Sequence, residues 1–237
     1  MRLGDHRLTL LFSVLTLCLL LVMGRYFPAE LAVPLPGSNL EPVLLLEFAS
    51  QPTHLQHIFG PPGDPLRAGR IAGMNIGNAI DYPFMLAYGL LVASFFWAIA
   101  RELGQGRWRL FAWMGIAASL ADAIENAIIF RMVADLSAGT DVTGELAILP
   151  YPVWIKFGLL AAACGGGAVA FIRMRRWILA ALCLPAPLLF IPVALDPFGS
   201  GGLATGMIAP AFAAMAIHAL TRWRGIGPLS PPNQSKE

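Results

Sequence analysis

Ionisable and amide side chains interrupt one long apolar stretch of the chain at helical spacing. Ser119, Asp122, Glu125 and Asn126 all lie within residues 110–133. At about 100° per residue they share one helix face. A charge inside a membrane span costs roughly 2.5–3.5 kcal/mol on insertion scales, so this face must point into a bundle or a water-filled cavity. Two carboxyl groups this close can share a proton, which is typical of proton-transfer sites.

Two neighbouring segments carry further polar groups. Asn75, Asn78 and Asp81 recur every three residues ahead of the next apolar stretch, and we expect their helix to begin near Gly69 and to bend at Pro83. Interhelical hydrogen bonding is the favoured role for the two asparagines. In a third apolar stretch the single charge is Lys156.

The depth of these groups follows from counting residues to the basic end of each span. Glu125 lies sixteen residues after Arg109, and Lys156 lies seventeen before Arg173. At 1.5 Å per residue both are about 24–25 Å from that end, so we predict an ion pair between them. The same count places five groups in one layer, in the outer half of the membrane: Asp81, Asp122, Glu125, Asn126 and Lys156.

The candidate ligand or proton site therefore consists of six residues: Asn78, Asp81, Asp122, Glu125, Asn126 and Lys156. One interpretation is structural, because a buried ion pair can set the register of two helices and costs about 3–5 kcal/mol to break. The other is functional. The three carboxyl groups outnumber Lys156, so the extra two must be protonated, hydrated or bound to a cation.

Composition defines the protein class in which this site would operate. Of 237 residues, 57% are hydrophobic and 13% are charged, with a mean hydropathy of +0.67. A soluble domain has about 25% charged residues. These values exclude a soluble globular enzyme, a disordered protein and a nucleic-acid binder with a basic face. They predict an all-α, polytopic membrane bundle whose immediate partner is the lipid bilayer.

A span needs about 20 mostly apolar residues, and six stretches qualify. They are Leu8–Gly24, Ile80–Ala100, Leu110–Val133, Val153–Ile172, Trp177–Leu195 and Leu203–Leu220. The first is expected to be an uncleaved anchor rather than a signal peptide. We predict a single transmembrane domain over residues 1–224 and a disordered cytoplasmic tail over residues 225–237.

The distribution of basic residues predicts the orientation of the bundle. Four cations fall on one side of the six spans, namely Arg25, Arg67, Arg70 and Arg131. Eleven fall on the other side, namely Arg2, Arg7, Arg101, Arg107, Arg109, Arg173, Arg175, Arg176, Arg222, Arg224 and Lys236. Cytoplasmic loops are enriched in Lys and Arg. We therefore expect both termini in the cytoplasm of a bacterium, with the bundle in the inner membrane.

The positions of the prolines and histidines lead to three further predictions. Residues 25–79 hold eight of the 19 prolines, which predicts an external loop, with a short interfacial helix formed by Val43–Phe48 or around Leu55, Ile58 and Phe59. His54 and His57 are expected to be a surface pair, so we predict no metal and no cofactor. One turn from Arg222, His218 is expected at the membrane interface.

Four short motifs resemble a widespread, uncharacterised family of small bacterial membrane proteins. They are Leu-Glu-Phe-Ala at 46–49, Asn-x-x-Asp-Tyr-x-Phe at 78–84, Asp-x-x-Glu-Asn at 122–126 and Lys-Phe at 156–157. The resemblance covers roughly residues 43–160 and implies that these residues act as one unit. It implies no known activity.

Three functions remain open at this point. Binding or transport of a small lipophilic or cationic ligand, with a carboxyl group exchanging a proton, is slightly preferred. The second is a membrane enzyme that performs acid–base chemistry on a lipid or isoprenoid. The third is a non-catalytic partner or assembly protein that uses residues 25–79 as its contact surface.

Overall fold

A computed structural model describes residues 6–223, except for the side chain of Thr205. Within that range the protein is all α-helical, without a strand. The helices in chain order are α1 (His6–Met23), α2 (Pro42–Glu47), α3 (Pro52–Phe59), α4 (Arg67–Glu102), α5 (Arg109–Ala138), α6 (Thr143–Ile148), α7 (Pro150–Arg173), α8 (Trp177–Leu182), α9 (Pro185–Leu195), α10 (Gly202–Met207) and α11 (Ala209–Trp223). The predicted tail, residues 225–237, lies outside the described residues.

Five helical segments are long and apolar enough to cross a membrane. They are His6–Met23, Arg67–Glu102, Thr143–Arg173, Trp177–Leu195 and Gly202–Trp223. These correspond to five of the six predicted spans. The remaining predicted span is α5, which at 30 residues is about 45 Å long. Its length is sufficient, and the residues that lower its hydropathy are Asp122, Glu125 and Asn126, which are buried inside the protein.

The centre of the bundle is formed by α4, α5 and α7. α4 packs against α1 on one side and α5 on the other, α5 packs against α7, and α11 covers α1. α4 and α5 approach closely where Gly89 faces Gly115. A Cβ added at Gly115 would lie 2.6 Å from Val92 Cγ1 and 3.2 Å from the Gly89 carbonyl oxygen. Small residues at such crossings let membrane helices pack backbone to backbone.

Proline determines where several helices begin. α2, α3, α7 and α9 all carry proline in their first turn, where no backbone N–H is required. The fifth predicted span is therefore two helices, α8 and α9, because Pro185 begins a new one. The sixth predicted span is also divided, into α10 and α11, at Ile208. Pro83, in contrast, lies inside a continuous α4.

The predicted external loop is wrong in two respects. Residues 67–79 are helical, since α4 begins at Arg67, close to the predicted start near Gly69. α2 and α3 form where short helices were expected, but their apolar faces pack against the protein: Leu45, Leu46 and Leu55 are fully buried, as are Ile58 and Phe59. Their apolar side chains join the main hydrophobic core of the bundle, which removes the same apolar area from water as a lipid surface would.

Candidate functional site

Lys156 on α7 is surrounded by three carboxylates from two other helices. Its Nζ donates to Glu125 Oε1 at 2.9 Å, to Asp122 Oδ1 at 3.2 Å and to Glu47 Oε2 at 3.1 Å. The predicted ion pair between Glu125 and Lys156 is present, with Glu125 Oε2 2.8 Å from Nζ. An ammonium group has three N–H donors, so each one is matched by a carboxylate.

Local helix geometry explains how α5 supplies two of these carboxylates. Asp122 and Glu125 are three residues apart, so they lie one turn apart on the face that packs against α7. Lys156 lies in the second turn of α7, after Pro150 begins that helix. All three side chains are nearly inaccessible to solvent. Buried charges are stable only when they are paired, so these ion pairs hold α5 and α7 together at the depth of Lys156.

Glu47 is the site residue that sequence reasoning did not assign. It is the last residue of α2 and lies 109 positions before Lys156, so no helical spacing could relate the two. The available signal was its place in the Leu-Glu-Phe-Ala motif at 46–49. Burial raises the pKa of Glu47 above the ordinary value of 4.5, and the charge of Lys156 opposes that rise.

A second group of hydrogen bonds connects α4 to this cluster. Tyr88 Oη donates to Asp122 Oδ2 at 2.7 Å, so Asp122 accepts from Tyr88 with one oxygen and from Lys156 with the other. Asn126 Nδ2 donates to Asp81 Oδ2 at 2.7 Å and to the Asn78 carbonyl oxygen at 3.4 Å. Tyr88 was not assigned to the site from the sequence.

The asparagines of α4 do not behave as predicted. The Asn126 contact uses the main-chain oxygen of Asn78, whereas Asn78 Nδ2 is buried without a hydrogen-bond partner. Asn75 Oδ1 is also buried and unpartnered. Such orphaned groups are uncommon in proteins, and each one calls for a physical explanation. For Asn78 the explanation is its position, because it borders a cavity.

A cavity of about 530 Å³ lies beside the Lys156 cluster. Its polar lining is formed by Thr16, Glu41, Glu47, Asn78, Asp81, Tyr88, Asp122, Asn126 and Lys156. Its walls elsewhere are mostly apolar and include Leu20, Leu44, Phe84, Phe157, Leu160, Ile208 and Phe212. The structure thus brings the six predicted residues together in one region of the bundle, and five of them line the cavity. Glu125 contacts Lys156 but does not line the cavity.

The site contains more acidic groups than basic groups. Lys156 supplies one positive charge against the four carboxyl groups of Glu47, Asp81, Asp122 and Glu125. The face of the Phe157 ring, 4.9 Å from Nζ, also favours a cation. Uncompensated carboxylates are costly in a buried site. Such an imbalance favours protonation of a carboxyl group or a bound cation, and Asp81 and Glu47 border the cavity.

His54 and His57, expected to be a surface pair, make separate contacts at exposed positions. His54 Nδ1 accepts a hydrogen bond from the Ser50 backbone N–H at 3.2 Å, while His57 Nδ1 lies 3.0 Å from the Val33 carbonyl oxygen. The two rings thus have separate partners on different segments. Their contacts hold the residues between α1 and α4 in place.

No protein-family model matches the sequence, and comparison with curated proteins and with solved structures finds no significant match. The resemblance of the four motifs to a bacterial membrane-protein family remains a prediction. The geometry does relate the motifs to one another: Glu47, Asp81, Asp122, Glu125, Asn126 and Lys156 belong to these motifs and lie in one cluster.

Proposed function

We propose that this chain is a multi-pass protein of the bacterial inner membrane that binds a small amphipathic cation in the cavity beside Lys156. The observation that carries the proposal is the excess of carboxyl groups at one end of a largely apolar cavity. A protonated amine would compensate the carboxylates of Asp81 and Glu47, and its hydrocarbon part would replace water along Phe84 and Phe212.

The size of the cavity supports a small ligand. Binding sites for small molecules usually measure about 300–1,000 Å³ and combine apolar walls with a few polar groups. At about 530 Å³ this cavity falls within that range. Asn78 Nδ2 provides an additional donor that has no partner among the described residues. The site therefore favours a cationic head that carries a hydrogen-bond acceptor, such as a hydroxyl or carbonyl oxygen.

The surface of the helices supports the membrane location. Outward-facing side chains of α1 are apolar and exposed, among them Val14 at 60% and Leu21 at 63%. The same holds for α9, where Leu188 is 67% and Ile191 63% exposed. Such continuous apolar surfaces are unfavourable in water and favourable against lipid tails. The excess of basic residues on one side then supports cytoplasmic termini.

The proposal is tested with octylamine, octanol and octanoate, which share a hydrocarbon chain and differ in the charge of the head. Binding is measured by calorimetry on protein in a maltoside detergent. We expect octylamine to bind and to raise the melting temperature, and the neutral and anionic compounds to bind at least about tenfold more weakly, because a hydrogen bond to a charged group is worth roughly 1.5–3 kcal/mol.

Two variants complete that experiment. Asp81→Asn removes a carboxylate on the cavity border and should weaken octylamine binding by about tenfold. Asp141→Asn removes an exposed carboxylate on the α5–α6 connection and should leave binding unchanged. Equal binding of the three compounds, or equal octylamine binding by both variants, would refute the proposal.

One observation favours acid–base catalysis as a second candidate. Tyr88, Asp122 and Lys156 form a continuous chain of hydrogen bonds that ends at the cavity, and such chains can carry a proton to a substrate. If the protein acts on a lipid or isoprenoid, incubation with a lipid extract should yield a new product with the wild type. Asp122→Asn should abolish it, whereas a pure binding protein yields none.

A further inference from the structure

A second cluster of ionisable groups lies at the opposite end of α4. Glu102 is the last residue of this helix, 21 residues or about 31 Å from Asp81. Its Oε2 lies 3.0 Å from His218 Nε2 on α11 and 3.7 Å from His6 Nε2 at the start of α1. Three helices thus bring two imidazoles and a carboxylate together, with ligand atoms all within 4.8 Å of one another.

These separations are close to those of ligands around a tetrahedral zinc ion. Zn–N distances of about 2.0–2.1 Å and Zn–O distances of about 2.0–2.2 Å place neighbouring ligand atoms about 3.3–3.5 Å apart at the tetrahedral angle. The observed 3.0 Å and 3.7 Å lie on either side of that range. The third separation, between the two imidazoles, is within 4.8 Å, so binding of the ion would draw the three side chains slightly closer together.

The surroundings of His218 suit a metal ligand. It is fully buried inside the protein. Its ring packs against Phe171 at 5.3 Å and Phe95 at 6.0 Å between centroids, and against His6 at 5.3 Å. These rings fix its orientation. An apolar environment favours the neutral imidazole, which is the form that binds metals.

The charges around the cluster determine which ions it would accept. Arg222 contacts Glu102 Oε1, which leaves Oε2 directed at the two imidazoles. Arg176 lies on the same side and donates to Thr221 Oγ1 at 2.8 Å. These two positive charges weaken purely electrostatic binding of a dication. Two of the three ligands are imidazoles, which suit Zn²⁺, Cu²⁺ and Ni²⁺, whereas Mg²⁺ and Ca²⁺ require oxygen ligands.

We propose that His6, Glu102 and His218 bind a zinc ion that joins α1 and α11 to the end of α4. Three protein ligands leave a fourth position for water, as in zinc sites with two histidines and one glutamate. The ion would connect the first and last described helices to the centre of the bundle. It would stabilise the folded protein as any ligand does that binds the folded state alone. This inference is independent of the cavity beside Lys156.

The test uses the full chain purified without a histidine tag and stripped with a chelator. Zinc is added back, and both the bound metal after desalting and the melting temperature are measured. We expect about one Zn²⁺ per chain and a rise in melting temperature, and no effect of Mg²⁺ or Ca²⁺. His6→Gln and His218→Gln should each weaken zinc binding by at least about tenfold, since even groups outside the ligand shell change metal affinity by 10–100-fold.

The chain contains its own matched control, because its other two histidines lie elsewhere. His54→Gln and His57→Gln should bind zinc like the wild type. A wild-type protein that binds no zinc would overturn the proposal and leave a cluster joined by hydrogen bonds alone. Unchanged binding in both His6→Gln and His218→Gln would overturn it as well. If His218→Gln does not fold, the half-buried His6 at the start of α1 gives the same test.

Discussion

Glu125 Oε2 lies 2.8 Å from Lys156 Nζ, although Glu125 does not line the cavity that Lys156 borders. Asp122 and Glu47 contact the same ammonium group from positions on the cavity border. The carboxylates around Lys156 are therefore not equivalent. Glu125 anchors the lysine to α5, whereas the others are accessible to a ligand.

This difference predicts opposite phenotypes for two conservative variants. Glu125→Gln removes a charge that only Lys156 contacts, so we expect a lower melting temperature with octylamine binding retained. Asp81→Asn should retain the melting temperature and lose binding, since Asp81 borders the cavity and its bond to Asn126 can be made by an amide oxygen. Thermal unfolding and calorimetry on both variants distinguish them. If melting temperature and octylamine binding fall together in both variants, Glu125 and Asp81 do not have separate roles.

Lys156→Met should be strongly destabilising. It leaves three buried carboxylates without their common cation, and breaking a buried ion pair in this way costs about 3–5 kcal/mol. The free energy of unfolding in detergent measures the effect. Lys236→Met is the matched control, because Lys236 is the only other lysine and lies outside the described residues. The double variant Lys156→Met/Glu125→Gln should recover part of the loss, and a fully stable Lys156→Met would contradict this account.

Glu47 should make stability decrease with rising pH. Its pKa is raised by burial above 4.5, so the folded protein binds more protons than the unfolded chain between 4.5 and the raised value. Stability from this group is therefore greatest below 4.5 and is lost as pH rises through the raised pKa. Glu47→Gln cannot titrate. The difference in melting temperature between the variant and the wild type should therefore shift in favour of the variant from pH 4 to pH 8.

Asp141 provides a control of opposite sign for this pH experiment. Hydrogen bonds from Thr143 lower the pKa of Asp141 below the ordinary value of 3.8. Its contribution is present above 3.8 and is lost as pH falls through the lowered pKa. The melting temperature of Asp141→Asn relative to wild type should therefore not increase with pH. Parallel pH profiles for Glu47→Gln and wild type would show that Glu47 is not buried against Lys156.

Because α4 and α5 cross closely, we expect that adding a single methyl group at the crossing destabilises the protein. Gly115→Ala would place a Cβ 2.6 Å from Val92 Cγ1 and should destabilise the protein by about 1–3 kcal/mol, the usual cost of overpacking. Gly158→Ala on α7 meets only Phe190, at an ordinary 3.5 Å, and should be neutral or stabilising, since alanine favours a helix. The free energy of unfolding of the two variants compares them directly.

The sequence by itself determined the class of the protein and the inward face of α5. Both are local properties, because an apolar run of about 20 residues and a period of 3.6 can be read from neighbouring residues. The sequence also predicted that Glu125 and Lys156 lie at the same depth, because each residue of a helix adds a fixed rise along its axis. These two residues form the predicted ion pair.

The tertiary structure alone decided which other groups reach Lys156. Glu47 comes from a short helix that was expected on the membrane surface, and its burial depends on how α2 packs against the bundle. His6, Glu102 and His218 meet only because α1 and α11 pack together beside the end of α4. Hydrophobic periodicity shows that a helix face is buried, but it does not show against which partner, because apolar packing is not directional.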